Sequence, residues 1–252
     1  MNSEQSFAEE LANAEAGDPR AQYNMAYRFA QGVGCEPDAA RALDWLTRSA
    51  ENGCAEAQFH LAFHYAEGTG GAPDYEKAAH WFREAAEQGD ADAQYNIAVY
   101  YSHGHGVPQD DQRAAYWFEK AARQGDPTAA LILGDCYAEG AGVAQDIKCA
   151  LHWYGESARQ GNAKAQYKLG LCYAGGKGTA PDNLKAVYWL TRAAQQGDAD
   201  AQYTLGVYYT EEAKLNPAAA AQGRGWLARA AQQGDPRAAK RLKEAAPPDA
   251  ES

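Results

Sequence analysis

His60 and His64 lie four residues apart, with Glu56 four residues ahead of them. On a helix the three side chains share one face, and both imidazoles can turn toward a single metal ion. The residue after His60 is Leu61, where a zincin-type hydrolase needs a glutamate base. His80 and His152 stand beside tryptophans, and His103 and His105 share a short polar stretch. Two imidazoles without a third ligand leave a coordination shell incomplete, so the expectation is no metal and no other cofactor. Cys136 and Cys172 occupy the same place in a repeating pattern, but adjacency alone does not make a reactive thiol. A metal- or redox-responsive regulator using His60/His64 or Cys136/Cys172 is the alternative reading.

Other catalytic arrangements are missing. The chain has no Gly-x-Ser-x-Gly elbow, no phosphate-binding P-loop and no Cys/His pairing suited to nucleophilic attack. Its recurrent Gly-x-Gly falls between helical patterns and not after a strand, which removes the dinucleotide reading. The expectation is a protein that is not an enzyme.

The 252 residues carry 23 basic and 34 acidic side chains, a formal charge of −11. That balance, with no basic run of five or more, argues against nucleic acid as a partner. No window holds eighteen consecutive apolar residues, and the first twenty lack a basic segment followed by an apolar core, so membrane insertion and export are not expected. Five cysteines, an odd number with no Cys-x-x-Cys, read as reduced thiols of a cytoplasmic chain.

The elements that must position these residues follow from a period. Trp45, Trp81, Trp117, Trp153, Trp189 and Trp226 recur every 36 residues, once 37, and Gly17, Gly53, Gly89, Gly125, Gly161, Gly197 and Gly234 keep the same spacing. Within one unit, Ala93, Gln94, Tyr95, Ile97, Ala98 and Tyr101 fall at helical intervals and define a helix A. Ala78, Trp81, Phe82, Ala85 and Ala86 define a helix B in the same way. Between them, pairs such as Gly32/Gly34 and Gly104/Gly106 close a helix C-terminus at positive φ. Asp38, Asp74, Asp110, Asp146 and Asp182 then cap helix B, while Asp18, Asp90, Asp126, Asn162, Asp198 and Asp235 cap helix A. Cys54 cannot cap, so a weaker start is expected for its helix. Ala130 stands where Gln22, Gln58, Gln94, Gln166 and Gln202 recur, so the fourth unit lacks the bond made by that amide.

A hairpin of two short helices cannot enclose its own apolar faces and must stack on its neighbours. The predicted fold is all-α, a right-handed superhelical solenoid of six 36-residue helix-turn-helix repeats. Boundaries are a cap at 3–16, repeats at about 17–52, 53–88, 89–124, 125–160, 161–196 and 197–233, and a cap helix at 235–246. Together they form one repeat domain, 1–246, with a disordered tail at 247–252. Thr210 to Leu215 replaces the Gly-x-Gly loop of the sixth unit.

The run from Ala93 to Asp126, "AQYNIAVYYSHGHGVPQDDQRAAYWFEKAARQGD", resembles a Sel-one-like repeat, a relative of the tetratricopeptide repeat with a longer inter-helix loop. That resemblance covers roughly nine-tenths of the chain. It implies a tetratricopeptide-like scaffold that holds partner proteins together, often in bacterial signalling, stress or envelope assembly, and it implies no enzymatic activity.

Scaffold positions recur in every unit, so a partner-specific surface is expected where exposed residues differ. One face of helix A, taken as the concave side, steps through Arg20, Asn24, Arg28; Glu56, His60, His64; Asp92, Asn96, Tyr100; Thr128, Ile132, Cys136; Lys164, Lys168, Cys172; and Asp200, Thr204, Tyr208. This mixed surface suits a protein or peptide segment, with Tyr100 and Tyr208 as aromatic anchors. It gives no sign of a small-molecule cavity, and the chain is expected to be monomeric.

Overall fold

The computed structural model describes residues 3–212 and 218–244, with side chains from residue 7 onward. The predicted loop change at 213–215, the last two residues of the predicted cap helix and the predicted tail at 247–252 lie outside them. Every element among the described residues is helical, and the chain divides after Gln124 into two compact units.

The first unit holds α1 (Ser3–Glu15) and three hairpins: α2 (Pro19–Gln31) with α3 (Ala39–Glu51), α4 (Ala55–Glu67) with α5 (Tyr75–Glu87), and α6 (Ala91–His103) with α7 (Asp111–Arg123). The second holds α8 (Pro127–Glu139) with α9 (Ile147–Arg159), α10 (Ala163–Gly175) with α11 (Asn183–Gln195), and α12 (Ala199–Glu212) with α13 (Ala219–Gln232), followed by α14 (Pro236–Glu244). In each unit the first helix of a hairpin packs on its own second helix, and α2, α4, α6, α10 and α12 pack also on the helix before. Each unit's core is made of small clusters, such as Ala50, Cys54, Ala57 and Leu61 with Trp81 against them in the first. Trp45 and Trp117 are buried, and the other tryptophans are half-buried.

Capping residues carry the turns. Asp90 accepts from the backbone N–H of Ala93 at 2.7 Å, and Asp74 accepts from Lys77 at 3.0 Å. Gly32, Gly68, Gly104, Gly140 and Gly176 end the first helix of their hairpins in the left-handed region. Cys54 makes no side-chain cap bond, yet α4 has thirteen residues, as do α2, α6, α8 and α10. Glu56 in its first turn supplies a carboxylate to the helix N-terminus instead.

Backbone N–H bonds from Lys77, Cys149 and Lys185 hold the carboxyls of Asp74, Asp146 and Asp182 below the usual carboxylate range. A carboxyl lowered on folding contributes stability that is present above its unfolded value, about 3.9, and is lost as pH falls through the folded value. Burial raises Asp198 and gives it the opposite sign. The melting temperature should therefore drop on acidification below about pH 4. In Asp74→Asn/Asp146→Asn/Asp182→Asn the drop should be shallower; equal slopes by circular dichroism would remove the capping account.

The recurrent glutamine forms a ladder. Nε2 of Gln58 donates to the Ala50 carbonyl at 3.0 Å, while its Oε1 accepts from Gln88 at 2.7 Å. Gln22, Gln94, Gln166 and Gln202 repeat both bonds, linking two helices of one repeat boundary to the end of the next second helix. The one-residue insertion before Trp226 is absorbed, since Gln233 still reaches Gln202 at 2.8 Å. Ala130 offers no such amide to Gln160. Gln166 is wholly buried, so Gln166→Ala should cost about 1–3 kcal/mol by removing the amide and stranding its partners. Urea unfolding measures this, and a loss below about 0.5 kcal/mol would mean the ladder is incidental.

Candidate functional site

Each predicted helix-A row opens on an exposed residue: Arg20, Glu56, Asp92, Thr128, Lys164 and Asp200. Eight residues later an α-helix has turned about 80° from that start. The third members therefore rotate away from solvent: Arg28, His64 and Cys136 are half-buried, and Tyr100 and Cys172 are buried. Tyr208, 38% exposed, is the exception.

Three of the predicted contact residues are engaged within the first unit. Tyr100 is 7% exposed, with its ring against Phe82, Tyr75 and His105. Burial pushes its phenol up. It is a core ring and not a solvent-facing anchor. Arg28 pairs with Glu10 at 2.5 Å and lies over the Phe7 ring, while Asn24 donates to Glu10 at 2.6 Å. The N-terminal helix thus takes up two of the three residues in the first row. Glu10, which stands where the repeats carry Leu46 or Phe82, is the sequence mark of that arrangement.

The remaining rows are charged or polar. Arg20 pairs with Glu56, and His60 stacks on Tyr23 at 5.8 Å with 19° between planes. Hydrogen bonding from its own backbone N–H and from Arg20 holds the Glu56 carboxyl below the usual range. Asn96 donates to the Asp92 carbonyl, and Thr204 to that of Asp200. Lys168 pairs with Asp135 at 2.8 Å, and Arg237 of α14 pairs with Asp200 at 2.5 Å. Exposed pairs of this kind contribute at most about 1 kcal/mol each, so they shape the surface more than they stabilise it. Ile132 is a half-buried apolar position among these polar ones.

Asp135 was not legible as special in sequence. The buried Tyr154 donates to it at 2.6 Å, and Lys168 reaches both the carboxylate and the Tyr154 ring. Burial, together with that carboxylate, pushes the Tyr154 phenol far up. A second pattern was also missed. Arg41, Lys77, Arg113 and Lys185 each lie three residues after a capping aspartate, pair with it, and cover the aromatic ring near the end of the preceding helix. The Asp-x-x-Arg/Lys spacing was its available signal.

The chemistry-bearing residues do not converge. Among the described residues no group of three or more His, Cys, Asp or Glu is placed to hold a metal ion. Burial pushes the Cys172 thiol up, away from the thiolate that redox chemistry needs. Among the described residues no helix is long and apolar enough to cross a membrane. Against expectation, the first unit contains a cleft of about 580 Å³, lined by α2, α3, His60 and His64.

A family model for the Sel1 repeat matches residues 19–54, 55–90, 91–126, 127–162, 163–198 and 199–235. These units start two residues later than the glycine spacing suggests, at the first residue of each hairpin. No curated protein sequence matches the chain. A protective antigen present in uropathogenic Escherichia coli strains, displaying an SLR fold, is 34% identical with a TM-score of 0.84 over 96% of this chain and 52% of its own. The chain therefore spans about half the length of that relative. A Sel1 repeat protein from Oxalobacter formigenes is 32% identical, with a TM-score of 0.68 over 90% of this chain and 91% of its own. Sel1 repeat proteins are all-α repeat solenoids that generally mediate protein–protein interactions without catalysis. With six consecutive repeats built from capped, stacked hairpins, the chain belongs to the Sel1 repeat family.

Proposed function

We propose that the chain is a non-enzymatic scaffold that binds a segment of a partner protein along its helix-A surface, the concave side in tetratricopeptide-like stacking. One observation carries this reading: most of the residues that build the hairpins recur, while the exposed opening positions of the first helices differ from repeat to repeat. A surface free of packing duties that varies in charge and size is suited to recognising a particular sequence. The partner is a protein or peptide and not nucleic acid or membrane. The scaffold acts as a monomer in the cytoplasm, in bacterial signalling, stress or envelope-related assembly.

The test is affinity capture from the native host with three forms of the chain. Asp92→Lys/Lys164→Glu changes exposed positions of the first helices, and Asp111→Lys/Lys148→Glu makes matching changes on the second helices. Partners retained by the wild type and the second variant, and lost by the first, support the proposal. Equal recovery by all three, with unchanged circular dichroism, overturns it.

A further inference from the structure

Two successive seams of the first unit are built from corresponding residues, yet one is filled and the other is open. In the later seam Tyr75, Phe82, Tyr100 and His105 form a ring cluster, with centroids 5.4–6.3 Å apart for the contacting pairs. The corresponding positions of the earlier seam are Ala39, Leu46, His64 and Thr69. Each is smaller, and the cleft of about 580 Å³ lies there. Tyr27, on its wall, is 59% exposed, whereas the corresponding Phe63 packs on Phe82 at 5.1 Å.

The loop over the earlier seam is also not seated. A Cβ on Gly106 would lie 2.0 Å from the Tyr75 carbonyl oxygen, and one on Gly178 2.7 Å from that of Ile147, so both loops rest on the start of the preceding second helix. The corresponding Gly70 has nothing within 4 Å. Gly71 follows it, with no side chain, where the corresponding loops carry Cys35, Val107, Val143 and Thr179.

We propose that this cleft receives the aromatic side chain of the partner segment, with an acidic residue beside it. The inference rests on the helix-A scaffold reading and names the chemistry it selects. Its volume falls in the range of ligand pockets, about 300–1,000 Å³. The neighbouring seam shows what fills this shape, which is aromatic rings meeting edge to face. The charge also fits. Although the chain holds 34 acidic residues, none lines the cleft; its polar rim is formed by His60, His64 and Thr69, whose imidazole N–H and hydroxyl groups donate to a carboxylate. His60 and His64 belong to the helix-A surface as well, so a segment lying on that surface can lower a ring into the cleft.

The test is a titration of the full chain, followed by amide NMR, with the peptide acetyl-Gly-Asp-Tyr-Asp-Gly-amide and its leucine counterpart. The tyrosine peptide should shift Ala26, Leu43, Leu46 and His60 and bind about tenfold or more tightly than the leucine peptide. Ala39→Tyr/Leu46→Phe, which installs the residues of the filled seam, should abolish those shifts; Ala39→Tyr alone, at an exposed helix start, guards against misfolding of the pair. No shift at these residues, equal affinity for both peptides, or undiminished binding to the refilled chain overturns the proposal. Concentration-dependent shifts of the same residues without peptide would assign the cleft to a second copy and overturn it too. If the refilled chain still captures host partners that Asp92→Lys/Lys164→Glu loses, the scaffold reading stands and the cleft assignment falls. If the tyrosine peptide binds as described but no form captures a partner, the scaffold reading falls and the ring selectivity stands.

Discussion

Phe82→Ala is expected to destabilise the first unit by about 3–5 kcal/mol, the usual cost of deleting a buried aromatic ring and leaving its cavity. Phe82 is 1% exposed and meets the rings of Phe59, Phe63 and Tyr100 at 5.9, 5.1 and 5.4 Å. Tyr100 is held by Tyr75 and His105, which keeps it from moving into the gap. In a stacked array each repeat is stabilised by its neighbours, so the loss should also loosen the hairpins on either side. Leu46→Phe at the corresponding open position should be tolerated with a change below about 1.5 kcal/mol. Urea unfolding of both variants decides the matter, and a loss below about 1 kcal/mol for Phe82→Ala would show that the ring cluster is not a packed core.

The second large effect is at the inter-helix loops. Gly106→Val should cost roughly 3 kcal/mol or more, through strain at positive φ and a clash with backbone that cannot yield. Gly106 has φ +64, and the added Cβ would fall 2.0 Å from the Tyr75 carbonyl oxygen. Gly70→Val, at φ +91 with open space around it, should cost only the backbone term, about 1–3 kcal/mol. The two variants differ by loop and not by chemistry, so their difference reports how firmly each loop is seated. Equal losses would mean that the loop over the cleft rests on the preceding helix as the others do.

Much of the architecture is written in short-range chemistry, which is why it was legible. Glycine at a left-handed position, aspartate at a helix start and tryptophan at a fixed period act locally and recur, so hairpin order and caps could be read directly. Less could be read from the rows of the first helix. The i, i+4, i+8 step assumes one face, yet its slow rotation carries Tyr100 and Cys172 into the seam. Arg28 was misplaced for another reason: its partner Glu10 lies in a helix that departs from the repeat. The Asp135–Tyr154–Lys168 cluster and the open seam at Ala39 and Leu46 depend on pairs about twenty to thirty residues apart, where a single substitution changes what its neighbour must fill. Comparing each position with its counterparts 36 residues on would have exposed both.

The central claim is that a partner segment lies on the first helices of the hairpins. Site-specific photocrosslinking in the native host tests it most directly, with a photoreactive residue at position 92 or 164 on those helices, or at 116 or 188 on the exposed side of the second helices. The account predicts a discrete adduct with the same partner from 92 and 164, and none from 116 and 188. Adducts confined to 116 and 188, or equal yields from all four positions, would contradict it.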